Sequence, residues 1–246
     1  MPPTLPDATR IHLPLGAGTI AATVHQNGPP RPTFLNVHDD EDTSVAAGLA
    51  NLAEFGGRLI ELTHSGDRLI RFALAGGDEY QFDPNRMFSE AGIAATLVRH
   101  SQYTEAAHAA IRSFAAAYLE RFALASEPVL IALHNTTIGP FSVASFAPGG
   151  DLAADAAAVH QASRHSPFDF FYVTEPAHFA RLREQDWNVV LQDNGRVRDD
   201  GSLSVFCARR GIPYLNVEAE MGRRSVQIAM LRAVRELLGW EGPRVG

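Results

Sequence analysis

A chain of 246 residues, 46% apolar and 20% charged, can bury a sizeable core without disulfides and does not have the composition of a disordered protein. Its 28 acidic residues outnumber its 21 basic ones for a formal charge of -7, which argues against the broad positive field that gathers nucleic acid or an anionic membrane. Lysine is absent, which excludes lysine Schiff bases and phosphate-loop lysines.

In chain order, residues 1–6 lack the basic and then apolar regions of a secretory signal, and no apolar run approaches membrane-spanning length. A soluble, cytoplasmic protein is expected, with a trimmed leader left open, and one domain over 1–246. Stretches 11–25 and 59–82 cluster β-branched and apolar residues between glycine turns such as Ser65-Gly66-Asp67 and read as hairpins. Residues 32–37 predict a short strand. Asp42-Thr43-Ser44 then starts a helix that runs through 45–55 and ends at Gly56-Gly57. Strand, loop, helix is the order that sets ligands at a strand's carboxyl end.

Thr104 caps a predicted helix over 105–125, where Ile111, Phe114, Tyr118 and Phe122 recur at helical spacing. The continuous apolar run 128–133 predicts a strand buried on both faces, with His134 at its end. Ala147-Pro148-Gly149-Gly150 has no lysine and no phosphate-loop spacing, and reads as a surface loop. His160 and His165 fall on a predicted helix and its exit. Strands are expected at 168–173, 188–191 and 214–219, and helices at 177–184 and 225–238. The lone Cys207 lies in a helix or turn flanking the core; it permits no internal disulfide, fits a reducing compartment and reads as a buried, inert thiol. Hairpins early and strand–helix alternation from 128 onward predict an α/β fold, three-layer α/β/α with a mixed, mostly parallel central sheet.

The chemistry gathers in three places. Val37-His38-Asp39-Asp40-Glu41 sets a histidine and a glutamate three residues apart where an apolar run stops. A catalytic zinc takes three nitrogen or oxygen ligands and keeps a position open. His38, Glu41 and His134 would supply such a set, because a turn leaving a strand can aim the first two at one point. With ten histidines in the chain the spacing also arises by chance, and Asp39, Asp40 and Asp42 equally suit a solvated loop. In Asp83-Pro84-Asn85-Arg86, the arginine can bind a carboxylate bidentately or polarise a carbonyl, with the asparagine as a second donor; the plain reading is an Asp-Pro-Asn turn with an exposed arginine. His12, His25, His64, His100, His108, His160, His165 and His178 lack partners at convincing spacing, and no Gly-x-Ser-x-Gly elbow supports a serine nucleophile.

Taken in order, His38-x-x-Glu41, Asn85-Arg86, His134 and a late strand glutamate resemble the zinc metallocarboxypeptidases of the carboxypeptidase A type and their aspartoacylase and succinylglutamate desuccinylase relatives. The resemblance rests on four short motifs rather than on continuous similarity. It implies one zinc ion per chain held by His38, Glu41 and His134. Arg86, with Asn85, becomes the anchor for a substrate carboxylate or for the developing oxyanion. The general base is Glu218 or Glu220. Period-two alternation puts both on one strand face and cannot choose; Asn216-Val217-Glu218 is similar to the family's Thr-x-Glu, whereas Glu220-Met221-Gly222 is similar to the acylases' glutamate-x-glycine, and Glu218 is preferred.

The activity implied is cleavage of a C-terminal peptide or amide bond by promoted-water attack, on short or cell-wall peptides with a free carboxylate. The same glutamate takes the water's proton and returns it to the leaving amine. An N-acyl amino acid deacylase of the aspartoacylase type and a catalytically silent carboxylate-binding domain are the alternatives. The glycine-rich lead usual in the acylases is absent before His38, no substrate-closing tyrosine can be picked from Tyr103, Tyr172 and Tyr214, and no nucleic-acid or membrane partner is implied. The oligomeric state stays open.

Overall fold

Period-two patterning decides the layering. In β3 (Thr33–Asn36), Phe34 and Leu35 are both fully buried, yet they enter different cores on opposite faces. The same split separates Leu59 from Ile60 in β4 (Gly57–Thr63) and Ile131 from Ala132 in β7 (Leu130–Thr136). Strands apolar on both faces must be covered on both.

The computed structural model describes residues 7–240. The other strands are β1 (Asp7–Leu15), β2 (Gly18–Asn27), β5 (Ile70–Ala73), β6 (Glu79–Phe82), β8 (Ala156–His160), β9 (Phe170–Val173), β10 (Val189–Gln192) and β11 (Tyr214–Glu220). Nine form one sheet in the order β1-β2-β4-β3-β7-β11-β9-β10-β8, and β5 and β6 pair as a separate hairpin. The four central strands β4, β3, β7 and β11 run parallel, as do β9 and β10; the other pairings are antiparallel. The sheet is mixed, with its parallel part in the middle.

Helices α1 (Asp42–Phe55), α4 (Pro176–Glu184) and α6 (Arg224–Leu238) cover one face through Ala47, Leu52, Phe179, Leu182, Met230, Leu231 and Val234. Helices α2 (Glu90–His100), α3 (Glu105–Arg121) and α5 (Leu203–Arg210) cover the other through Ile93, Leu97, Ile111, Phe114, Tyr118 and Phe206. The result is a three-layer α/β/α fold. No helix among the described residues is long and apolar enough to cross a membrane.

Several expectations hold in detail. The Thr104 hydroxyl accepts from the Ala107 N–H at 3.1 Å and caps α3. Gly239, at φ 63°, ends α6 in the left-handed conformation that glycine adopts at little cost. Cys207 lies in α5, fully buried, and burial pushes its thiol up to about 12, which makes it a poor nucleophile.

Three expectations need correction. The segment 59–82 is not all hairpin, because β4 joins the main sheet beside β3 and only β5 and β6 form a hairpin. The strand at His134 runs on to Thr136, so His134 lies within it. His160 ends an edge strand rather than a helix, because β8 pairs antiparallel with β10 and that edge overrides the helical propensity of Ala156-Ala157-Ala158.

Candidate metal centre

The site forms where three connections leave the sheet. After β3 the chain makes a tight turn in which the Glu41 N–H donates to the His38 carbonyl at 3.2 Å, so side chains three residues apart meet at one point. His38 is completely buried and Glu41 is 2% exposed. His134 comes from the neighbouring parallel strand β7. Nδ1 of His38 lies 2.9 Å from Glu41 Oε1, Nδ1 of His134 lies 3.0 Å from Glu41 Oε2, and the two imidazole nitrogens are 3.2 Å apart. Ligand atoms from all three lie within 4.8 Å of one another.

The donor chemistry fits a cation. His38 Nε2 lies 2.9 Å from Asp83 Oδ1, and a carboxylate there accepts a hydrogen bond from Nε2–H and so favours the neutral tautomer whose Nδ1 lone pair is aimed inward. That lone pair faces the acceptor oxygens of Glu41 and the Nδ1 of His134. Acceptors converging in a buried space need a shared positive charge, from protons or from a divalent metal, and two imidazoles with one carboxylate form a set that suits zinc.

The electrostatics favour positive charge at this point, on a protonated ring as much as on a cation. Burial acts against a charged His38, but the Glu41 and Asp83 carboxylates outweigh it and raise the imidazole to about 9. Burial also opposes ionisation of Glu41 and Asp83. The imidazoles of His134 and His38 nevertheless hold Glu41 well below the usual carboxylate range, and His38 and Arg68 do the same for Asp83.

A buried polar scaffold holds these ligands. Asn135 Oδ1 accepts from the Ser44 N–H at 2.7 Å at the start of α1, and its Nδ2 donates to Gln227 Oε1 at 3.0 Å on α6. Gln227 Nε2 in turn donates to the carbonyls of His134 and Val217, at 2.9 and 3.2 Å. Asn36 Nδ2 donates to the Ser44 hydroxyl at 2.7 Å. The backbones that carry Glu41, His134 and Glu218 are thereby fixed to one another.

Glu218 lies directly across from His134 in the β7–β11 register and is 5% exposed. Burial raises its pKa, the nearby Glu41 adds to the rise, and the Asn216 amide donates to its Oε2 at 3.0 Å. Glu220 stands further along the strand beside Arg223, with its side chain 24% exposed. Asn85 and Arg86 form a short 3-10 turn that begins after Asp83, whose Oδ1 accepts the Asn85 N–H at 2.9 Å. The Asn85 Oδ1 accepts from the Leu203 N–H at the start of α5. Arg86 is half-buried and pairs with Asp200 at 3.3 Å.

Two residues near the centre were not singled out by sequence reasoning. Asp83 supports His38 from behind; the signal for it was a carboxylate in the motif that also holds Arg86. Arg68, from the turn between β4 and β5, donates to Glu41 Oε1 at 3.0 Å with its side chain 47% exposed. Asp39 pins that turn by accepting from the His64 and Gly66 N–H groups at 2.6 and 2.8 Å, so it does more than solvate a loop. No local pattern marks Arg68, since its role depends on a contact 27 residues back along the chain.

Exchanging Asp83 for asparagine should weaken zinc binding by about 10–100-fold, the usual cost of losing an outer-shell carboxylate. Competition with a chromogenic chelator measures it, and unchanged affinity would show that Asp83 does not orient the ring.

No family model and no curated protein matches the chain. Solved structures do. Murein-tripeptide amidase MpaA from Escherichia coli O157 is 13% identical, with a TM-score of 0.50 over 98% of this chain and 95% of that one. A succinylglutamate desuccinylase/aspartoacylase from Rhodobacter sphaeroides is 19% identical, with a TM-score of 0.46 over 96% and 67%. The ectoine utilization protein EutE (DoeB) from Ruegeria pomeroyi is 18% identical, with a TM-score of 0.48 over 100% and 72%. The chain thus shares its fold with the murein-tripeptide amidase, and among the described residues His38, Glu41 and His134 form a buried group that could hold a metal ion.

Proposed function

We propose that the protein is a zinc-dependent hydrolase that removes a small acyl group from an amino acid with a free carboxylate. The observation that carries this reading is the convergence of the His38, Glu41 and His134 acceptors in a buried space, with the Glu218 carboxyl across the strand from His134. At the Arg86 end, the chain at 201–203 is hydrogen-bonded onto 85–88.

His38, Glu41 and His134 would hold the zinc, with Asp83 fixing the His38 ring. When bound, zinc supplies Lewis acidity and brings the pKa of water to about 7. Glu218 accepts the proton of the attacking water at its carboxylate and hands it to the leaving nitrogen, the double duty that a carboxyl with a raised pKa performs well. Arg68, half-exposed beside Glu41, offers N–H donors to the carbonyl oxygen as it gains charge. Arg86 and Asn85 take the leaving group's carboxylate. This divides the two duties that Arg86 alone was expected to share.

The second reading is a carboxypeptidase acting on short or cell-wall peptides; the match to the murein-tripeptide amidase, which covers nearly all of both chains, keeps it in view. A panel of N-acetyl amino acids and C-terminally free di- and tripeptides, assayed with zinc-loaded protein, separates the two. Hydrolysis of acetylated amino acids, abolished by chelation and restored by zinc, is expected. Cleavage of peptides alone would favour the carboxypeptidase, and stoichiometric zinc without any turnover would leave a silent binding domain.

A further inference from the structure

Among the described residues, the Glu218 carboxylate has a single hydrogen-bond donor. Asn216, two residues back on the same face of β11, donates from Nδ2 to Oε2 at 3.0 Å, while Oε1 accepts no bond from the described residues. The neighbouring strands fix where this pair sits. Asn216 stands between Ala132 of β7 and Tyr172 of β9, and Glu218 stands between His134 and Phe170. The amide thus occupies the row just inward of the metal centre, in the middle of the sheet.

An amide is a costly choice for that row. Asn216 is 9% exposed and its Oδ1 is enclosed without a donor, so the side chain gives up a hydrogen bond that water would have supplied. An apolar residue would fill the space without that loss. The contact with Glu218 also decides which way the amide points: turned over, Oδ1 would face a carboxylate oxygen, acceptor against acceptor. What the amide gains in return is a grip on one oxygen of Glu218. A carboxylate held at Oε2 by a charge-assisted bond cannot exchange its two oxygens or change rotamer without breaking that bond. Oε1 is the oxygen left free.

We propose that Asn216 is a positioning residue that reserves Oε2 of Glu218 and leaves Oε1 as the one oxygen that takes the water's proton and passes it to the leaving nitrogen. The inference rests on the reading of Glu218 as the general base and deepens it, because the proton enters and leaves by the same atom. The O–H bond that forms at Oε1 as the water's O–H bond breaks is the bond that breaks when the nitrogen is protonated, and the carboxylate is restored.

Asn216→Leu removes the donor, and the enclosed acceptor with it, while filling a similar space. Crystal structures of the zinc-loaded wild type and variant read the tether with no substrate present: Glu218 should hold one conformer in the wild type and spread over two or more in the variant. The thermal midpoint should hold or rise, since the unpaired Oδ1 is gone. On the N-acetyl amino acid that the wild type cleaves fastest, kcat should fall about 10–100-fold, the worth of a hydrogen bond to a charged group, with KM unchanged. Asn216→Ser repeats the measurements should the first variant fold poorly. A Glu218 that keeps its single conformer in the variants, or a kcat that does not fall, would overturn the proposal. Losses of thermal midpoint and of activity in step would also overturn it, leaving Asn216 as packing alone. If the wild type cleaves no acetylated amino acid, the deacylase reading fails, and the conformers of Glu218 still decide for or against the tether.

Discussion

Glu218→Gln should lower turnover by about 10²–10⁴-fold, the usual worth of a positioned general base, while zinc content stays at the wild-type level. Glutamine keeps the shape and an oxygen for the Asn216 amide, which donates at 3.0 Å, so the strand and its buried neighbours stay in place. What is lost is the ability to accept a proton. Glu218 suits that task because it stands across from His134 in register and its burial, with Glu41 nearby, favours the protonated carboxyl more than an exposed glutamate would. Glu220→Gln is the matched control. That side chain leans towards Arg223 at the strand's end, and turnover in the control should stay close to wild type. Undiminished turnover in Glu218→Gln would place the base elsewhere, and a collapse in Glu220→Gln alone would move it two residues along the strand.

His38→Ala and His134→Ala should each cost more zinc affinity than the about 10–100-fold typical of an outer-shell partner, and turnover should fall to background. Elemental analysis after gel filtration reads the metal directly. Each variant removes one of only two imidazoles at the centre, and the remaining pair of donors falls short of the three protein ligands that a catalytic zinc keeps. Both side chains are buried, so circular dichroism must accompany the measurement to show that the fold survives. Stoichiometric zinc in both folded variants would sink the ligand assignment.

The sequence made the triad readable because its geometry is mostly local. His38 and Glu41 need only one turn to meet, and His134 extends a run too apolar to be anything but a central strand. The helix capped by Thr104 and the one closed by Gly239 were equally legible, since each carries its own start or stop signal. Long-range contacts were not. Arg68 reaches the centre through a loop pinned by Asp39, and Asp83 acts by touching a ring 45 residues away. Helix α2 went unread because Gly92, Thr96 and Val98 dilute its helical propensity, although its Ser89 cap and the Ile93–Leu97 spacing mark it. At the sheet's edge, β8 was misread because its alanines carry no strand signal; only its pairing with β10 makes it one. Alternation alone treats Glu218 and Glu220 as equals; the register sets Glu218 across from His134, and Glu220 stands beside Arg223.

The ligands and their scaffold belong to the turn after β3, to β7 and to α6, whereas the paired charges of Arg86 and Asp200 ride on separate connections after β6 and before α5. A change at position 200 would therefore break the pair with Arg86 while leaving every hydrogen bond of the ligands' scaffold intact.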